Sequence, residues 1–407
     1  MRLDPNIHLT YCSNIHPGES WKEVHQNLAT YLPEVRRQLH HDGSFGIGLR
    51  LSAQAAETLE TPETLAAFRD FLEEHDGYVF TINGFPYGVF HGTRVKEEVY
   101  LPDWRDEARL VYTRRLARIL AALLPDEPGL EGSISTLPGA FKGEIRSEDD
   151  VRQMARLMLK QVEDLHELRE KTGKTITLAL EPEPCCYPET VNESVEFFER
   201  FLRHPSLVRE LADATALSLA EAELAVRRHI GLSYDACHMA VEFEELERAF
   251  SLLKGADIKI CKFQISSALK LRFISGDGRA AEILSPFDEG TYLHQVVERS
   301  SDGLRRYVDL PQALAEEERI RGEGTGGTPK EWRVHFHVPI FLGEMGGFAT
   351  TQDYLVELMN CIKSDPVCPY LEVETYTWDV LPSEYKTTDM ASAIARELAW
   401  VRDQLAA

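Results

Sequence analysis

The chain is short of positive charge. Lys and Arg total 44 against 67 Asp and Glu, a formal net charge of -23. That balance opposes a broad electrostatic grip on a phosphate backbone and does not suit anchoring on an anionic membrane, so neither nucleic acid nor lipid is an expected partner. No uninterrupted apolar run approaches the ~18 residues that would suggest a membrane span. The first residues, MRLDPNIHLTYCSN, lack a basic stretch followed by an apolar one, so no leader is expected. No CxxC occurs among the seven cysteines (12, 185, 186, 237, 261, 361 and 368). An odd, irregularly spaced set in a large chain reads as reduced thiols, which argues against a thiolate zinc site and implies a soluble cytoplasmic protein. No GxGxxG opens a helix after an early strand, and GEGTGGT lacks the strand before it and the GK[ST] after it. Dinucleotide and phosphate loops are thereby disfavoured, and the glycines mark flexibility.

What is present is alternation. At 407 residues and 43% hydrophobic, the chain can bury a large core. Short β-like runs are expected at Ile7–Ser13, Phe45–Leu51, Tyr78–Asn83, Gly132–Leu137, Ile176–Glu181, Gly231–Asp235, Ile258–Ile265 and Leu371–Tyr376. Helix starts lie between them. Ser20 with Glu23, Ser147 with Asp150 and Thr190 with Glu193 fit the capping box, and Thr61-Pro62 supplies a cap with proline at the first helical position. Val151, Met154, Leu157, Met158, Val162 and Leu165 form one apolar stripe at helical spacing, and Leu355, Leu358, Met359 and Ile362 form another. Eight such βα units predict one (β/α)8 TIM barrel spanning residues 1–407. The regular spacing breaks after the seventh run, so residues 267–350 are expected to be an insertion over the active face.

In a barrel of this kind strand C-termini converge on one face. Glu181, in ITLALEPEP, must end its strand because proline cannot continue the ladder. Glu374 lies in LEVETYTW, and GLSYDACH brings Asp235 and His238 to the end of another run. Any one of these is as easily a solvated acid or a structural histidine. Three carboxylates gathered on one face are harder to dismiss, because burying them costs several kcal/mol unless they are paired, protonated or bound to metal. With an N or O ligand from a fourth strand they suit Mg, Mn or Zn. His335 and His337 alternate in HFHVP and point to one side, able to supply an imidazole or to grip a substrate hydroxyl; the plain alternative is an edge strand with a solvated face. Asn14, His16 and Trp21 come after the first strand, Arg50 ends the second, and NGFPYG after the third offers Asn83 and Tyr87; all are placed as substrate contacts by position, Trp21 for stacking on a sugar ring.

These strand-end residues resemble the xylose-isomerase-like barrels, which include sugar epimerases, inosose dehydratases, hydroxypyruvate isomerase and the endonuclease IV branch. More narrowly, TYCSNIHPGESW, EPEPCCYPET, SYDACHMAVEFE, KFQISSAL and HFHVPIF resemble the EboE proteins of bacterial clusters assigned to metabolite traffic. The resemblance implies metal ligands at Glu181, Asp235, Gln264 and Glu374, with His238 facing the substrate or supporting the ligands. Gln264 stands where many of these barrels have histidine. Its carbonyl is a weaker ligand than imidazole and favours Mn or Mg over tightly held Zn. The implied activity is a metal-dependent isomerase, epimerase or dehydratase of a sugar or cyclitol, with Glu181 and Glu374 moving protons; an oligomer is compatible with it. Two alternatives stand beside it: a non-catalytic metabolite-handling protein on the same barrel, and an endonuclease IV-like phosphoesterase. The negative charge and Gln264 weigh against the last.

Overall fold

The computed structural model describes residues 1–3, 7–386 and 388–406. Its frame is eight parallel strands: Ile7–Tyr11, Phe45–Arg50, Gly77–Asn83, Glu131–Thr136, Thr175–Leu180, Ile230–Asp235, Ile260–Ile265 and Tyr370–Val373. Around the sheet they run first, eighth, seventh, sixth, fifth, fourth, third, second. Every neighbouring pair in that order is parallel. The remaining seam, between the first and second strands, is joined by a parallel bridge from Cys12 to Gly48 and by Thr10 Oγ1 donating to the Gly46 carbonyl at 2.8 Å. Helices connect successive strands, so the fold is a nearly closed (β/α)8 barrel, as the eight runs predict.

The two faces of the strands differ in chemistry. Leu9, Ile82, Ile134, Leu232, Phe263 and Leu371 belong to the hydrophobic core beneath the helices. Their alternates face inward and are polar. Ser133 Oγ donates to Thr81 Oγ1 at 2.9 Å, Ser233 Oγ to Gln264 Oε1 at 3.3 Å, and Lys262 pairs with Glu372 where neither side chain has any exposed surface. A pair so buried is retained at a desolvation cost. Gly48 makes room for it, because a Cβ there would collide with Glu372 Oε1.

Local rules hold where the sequence applies them strongly. Ser20 with Glu23 and Ser147 with Asp150 form complete capping boxes. Thr190 accepts from the Glu193 N–H, but the Glu193 carboxylate instead takes the Glu189 N–H at 2.8 Å and the Lys142 ammonium at 2.7 Å. Pro62 does open its helix, whereas Thr61 makes no cap and donates back to the Thr58 carbonyl at 2.9 Å. Both predicted apolar stripes are buried. The last strand ends at Val373, three residues earlier than expected, because the chain turns after Glu374 into a short helix at Tyr376–Val380.

The seventh strand runs almost directly into an inserted antiparallel sheet beginning at Ser267–Ile274. Its other principal strands are Val296–Ser300, Gly303–Tyr307, Pro329–Val338 and Phe348–Thr350. The charged segment after Asp309 is the helix Leu310–Glu323, capped by that aspartate. Trp332 anchors the sheet, edge-on to Phe273, with its indole N–H donating to Glu298 at 2.8 Å.

Candidate functional site

Strand direction brings Glu181, Asp235, Gln264 and Glu374 together at the C-terminal mouth of the barrel. Glu181 is the residue after the fifth strand, and Glu374 is placed by its own N–H donating to the Ile265 carbonyl at 3.1 Å. Asp235 ends the sixth strand and caps the helix Ala236–Val241, its Oδ1 taking the N–H groups of Cys237 and His238 and the Ser266 hydroxyl at 2.6 Å. One oxygen each of Glu181, Asp235 and Glu374 lies within 4.8 Å of the others. The Gln264 amide points its Nε2 into their midst, 2.9 Å from Glu181, 3.2 Å from Asp235 and in contact with Glu374. Two amide hydrogens thus serve three acids.

That arrangement sets the acidities. Burial first, then the charges of Glu374 and Asp235, holds Glu181 far above the usual carboxylate range. Burial, then Asp235 and Glu372, pushes Glu374 up to about 8. Burial also opposes charge on Asp235, but His238, His337 and the Ser266 hydroxyl outweigh it and hold this acid below its ordinary value. Asn14 Nδ2 and Asn83 Nδ2 both donate to Glu374 Oε1, at 2.7 and 3.0 Å.

The donor set fits a hard divalent cation. Three carboxylate oxygens already converge, and turning the Gln264 amide over would replace its NH2 with a carbonyl oxygen while letting Nε2 donate to Ser233. The buried, unpartnered Asn14 Oδ1 marks a further oxygen at the same mouth.

A small cavity, with about 50 Å³ of space open to water-sized groups, opens onto this cluster. Its floor is Glu181, Glu183, His238, His335, Glu374, Asn14 and Asn83, and its roof is apolar and aromatic, including Phe85, Phe90, Tyr292 and Tyr376. Asp235, Gln264 and His337 lie buried behind the floor. Lys96 is the cation of the lining, and it is paired with Asp309 at 2.6 Å. His335 and His337 come from the inserted strand and do point to one side, toward His238. Burial lowers His337 to about 4 and takes His335 well below its ordinary value, so both are neutral imidazoles near neutral pH.

Four positions expected at the substrate do not reach this cavity. His16 stacks on Tyr31 at 4.2 Å and bonds to Tyr11 OH at 3.2 Å. Trp21 begins a helix and packs edge-on to Phe68 in the core. Arg50 is an internal brace, donating to the Gly18 and Gly88 carbonyls at 3.0 and 2.7 Å and paired with Glu19 at 2.9 Å. Glu19 is held by that pair and by the Phe90 N–H at 2.7 Å. Tyr87 leans on Tyr112 and Arg109. In each case the side chain packs against its own surroundings and away from the cavity.

Three contributors escaped sequence reading. Glu183 accepts from Tyr100 OH at 2.6 Å, and burial raises its pKa; its alternation with Glu181 in EPEP was the available signal. Tyr100 and Gln295 come from a loop and from the insertion, where no periodicity points to them.

No family model matches the chain, and a search of curated proteins found no match. Solved structures do match. The probable 3-DHS dehydratase AsbF of Bacillus anthracis is 12% identical over 97% of this chain and 98% of that one, with a TM-score of 0.48. A D-tagatose 3-epimerase-like protein is 11% identical over 98% and 100%, also at 0.48. A xylose isomerase domain protein from Planctomyces limnophilus is 14% identical over 92% and 93%, at 0.46. At such identities and scores, the fold stands on this chain's own strand order.

Proposed function

We propose that the chain is a divalent-metal-dependent isomerase, epimerase or dehydratase of a sugar or cyclitol, belonging to the metabolite-handling pathway that the EboE resemblance implies. The observation that carries this reading is the convergence of Glu181, Asp235 and Glu374 on one amide beneath a small cavity. Glu181, Asp235, Gln264 and Glu374 would hold the cation, preferably Mn or Mg. When bound, it would polarise a substrate carbonyl and its neighbouring hydroxyl and offset developing enediolate charge.

The protein's own groups supply the rest. Glu374 presents one oxygen to Asn14 and Asn83, which fix its orientation and favour its charged form. Glu181 follows the fifth strand and meets the same Gln264 amide at 2.9 Å. One of the two removes the proton alpha to the carbonyl and the other returns one to the opposite face or the adjacent carbon. Phe85, Phe90, Tyr292 and Tyr376 exclude water from a carbanionic centre. The paired Lys96 leaves the described lining without a free cation for a phosphate, which favours an unphosphorylated polyol. The small size of the cavity and the negative charge count against a DNA duplex. No described helix is long and apolar enough to cross a membrane.

A handling role without catalysis is favoured by one observation, that Gln264, Asn14, Asn83 and Ser266 between them already give the three acids protein donors. Solvent-deuterium incorporation into a panel of ketoses and inososes, with Mn added, separates the two. Exchange lost in both Glu181→Gln and Glu374→Gln supports the enzyme; no exchange with any panel member supports handling.

A further inference from the structure

Beside the carboxylates lies a second cluster of different chemistry. His238 and His335 bring their Nε2 atoms to 3.1 Å, and His335 and His337 bring theirs to 3.2 Å. All three rings are buried. Were these contacts ordinary hydrogen bonds, each would need a proton on one Nε2. The outer nitrogens say where the protons are. His238 Nδ1 lies 3.0 Å from the Pro182 carbonyl, and His337 Nδ1 lies 3.0 Å from the Glu374 carbonyl. A backbone carbonyl only accepts, so both Nδ1 atoms carry hydrogen. His335 Nδ1 lies 2.8 Å from Gln295 Oε1. That amide cannot be turned over without loss, because its Nε2 donates to the Pro184 carbonyl at 3.2 Å and contacts Tyr100 OH at 2.9 Å. His335 Nδ1 is therefore a donor as well. Between neutral rings, the Nε2 lone pairs of His238 and His337 then both face that of His335 with no proton between them.

Neighbouring lone pairs at this distance repel unless a cation sits among them. The spacing also suits one: nitrogen ligands about 2.05 Å from a metal lie about 3.3 Å apart at a tetrahedral angle and about 2.9 Å apart at a right angle. Outer ring nitrogens donating to carbonyls are the usual means of fixing the tautomer of a metal-bound histidine.

We propose that His238, His335 and His337 form a second metal site, binding a transition-metal cation such as Zn(II) or Fe(II) through their three Nε2 atoms. Imidazole selects such ions over Mg. Asp235 lies within 4.8 Å of ligand atoms of His238 and His337, Glu183 of His238 and His335, and Cys237 of His335 and His337, so each is placed to offer a further ligand. Asp235 has particular reach, since its Oδ2 is 3.2 Å from Gln264 Nε2 on one side and 3.8 Å from His238 Nε2 on the other. The site does not depend on the carboxylate site being occupied, and the insertion supplies two of its three ligands.

The test uses the full chain, stripped with chelator and reloaded. With Cu(II) as probe, wild type is expected to show nitrogen superhyperfine structure from three imidazoles in its electron paramagnetic resonance spectrum. With Zn(II) and Mn(II) supplied together, it should retain two metal equivalents on elemental analysis. His335→Ala and the gentler His335→Gln should each lose one equivalent and the three-nitrogen pattern. Glu181→Gln/Glu374→Gln should lose the other equivalent and keep the pattern. Wild type showing no imidazole-bound copper overturns the proposal without recourse to any variant. So does full metal retention by folded His335 variants, or loss of the nitrogen pattern in the double glutamine variant, which would mean one shared ion. Retention of both equivalents by the double glutamine variant would instead sink the carboxylate site and leave the imidazole site standing.

Discussion

The two halves of the barrel contribute differently to its mouth. From the fifth strand onward the chain delivers charge and ligands: Glu181, Glu183, Asp235, His238, Gln264, Glu374, and His335 and His337 from the insertion. The first four strands deliver neutral amides, Asn14 and Asn83, together with braces such as Arg50 that hold loops and never face the cavity. In the proposed function, one half would carry the reacting groups and the other would orient them. Asn14 and Asn83 meet the acids only through Glu374, so this carboxylate is the hinge between the halves.

The largest effect should come from breaking the charged half. Glu181→Gln or Glu374→Gln is expected to lower solvent-deuterium exchange into the true substrate by ~10²–10⁴-fold, the usual worth of a positioned acid or base. Unchanged exchange in both would sink the proton-transfer reading. Removing an orienting amide should cost less. Asn83→Ala deletes one hydrogen bond to a charged group, roughly a 10–100-fold loss in the same assay, with metal content retained. An equal or greater loss than in Glu374→Gln would erase the division between the halves.

Acidity gives a third way to sharpen it. Glu374 in the folded, metal-free protein titrates at about 8 against an ordinary value of 4.5. Between those values the folded state holds a proton that the unfolded chain has released, so stability falls as pH rises through that window. The thermal midpoint of chelator-treated protein should therefore decline from pH about 5 to about 8. Added Mn, which binds the charged acids, should flatten or reverse the decline. A metal-free midpoint that rises across the window contradicts the crowding of the three acids.

The smallest functional effect belongs to the braces. Arg50→Ala should destabilise the fold by about 3 kcal/mol in denaturant unfolding, because it strands buried carbonyls and Glu19. Its bound-metal count should not change. A lost equivalent would place Arg50 in the site after all.

The fold was legible because strand and helix periods are local and repeat eight times. The carboxylates were legible because strand direction fixes where a strand-end residue goes, and Glu181 is pinned there by Pro182. Side chains one step further along, such as His16, Trp21, Arg50 and Tyr87, were not. Their direction depends on loop geometry and on partners such as Tyr31 and Phe68, which no spacing rule supplies. The pairing of His335 and His337 followed from strand alternation. That His238 would complete a trio required knowing how the insertion folds back onto the barrel.

The seam between the first and second strands, joined by one backbone bridge at Cys12 and Gly48 and by side-chain bonds of Thr10 and Ser13, has a consequence for how the molecule is made. Asn83 and Glu374 are separated by 291 positions in the chain and stand at the ends of the third and eighth strands, which are not neighbours in the sheet and meet across the mouth as the ring closes. Contacts of such long range are the slowest to gain, since loop entropy is lost before they contribute. The acid pocket is therefore assembled at the end of folding, and its formation reports that the ring has shut. In refolding, tight Mn uptake should lag behind the recovery of helical circular dichroism.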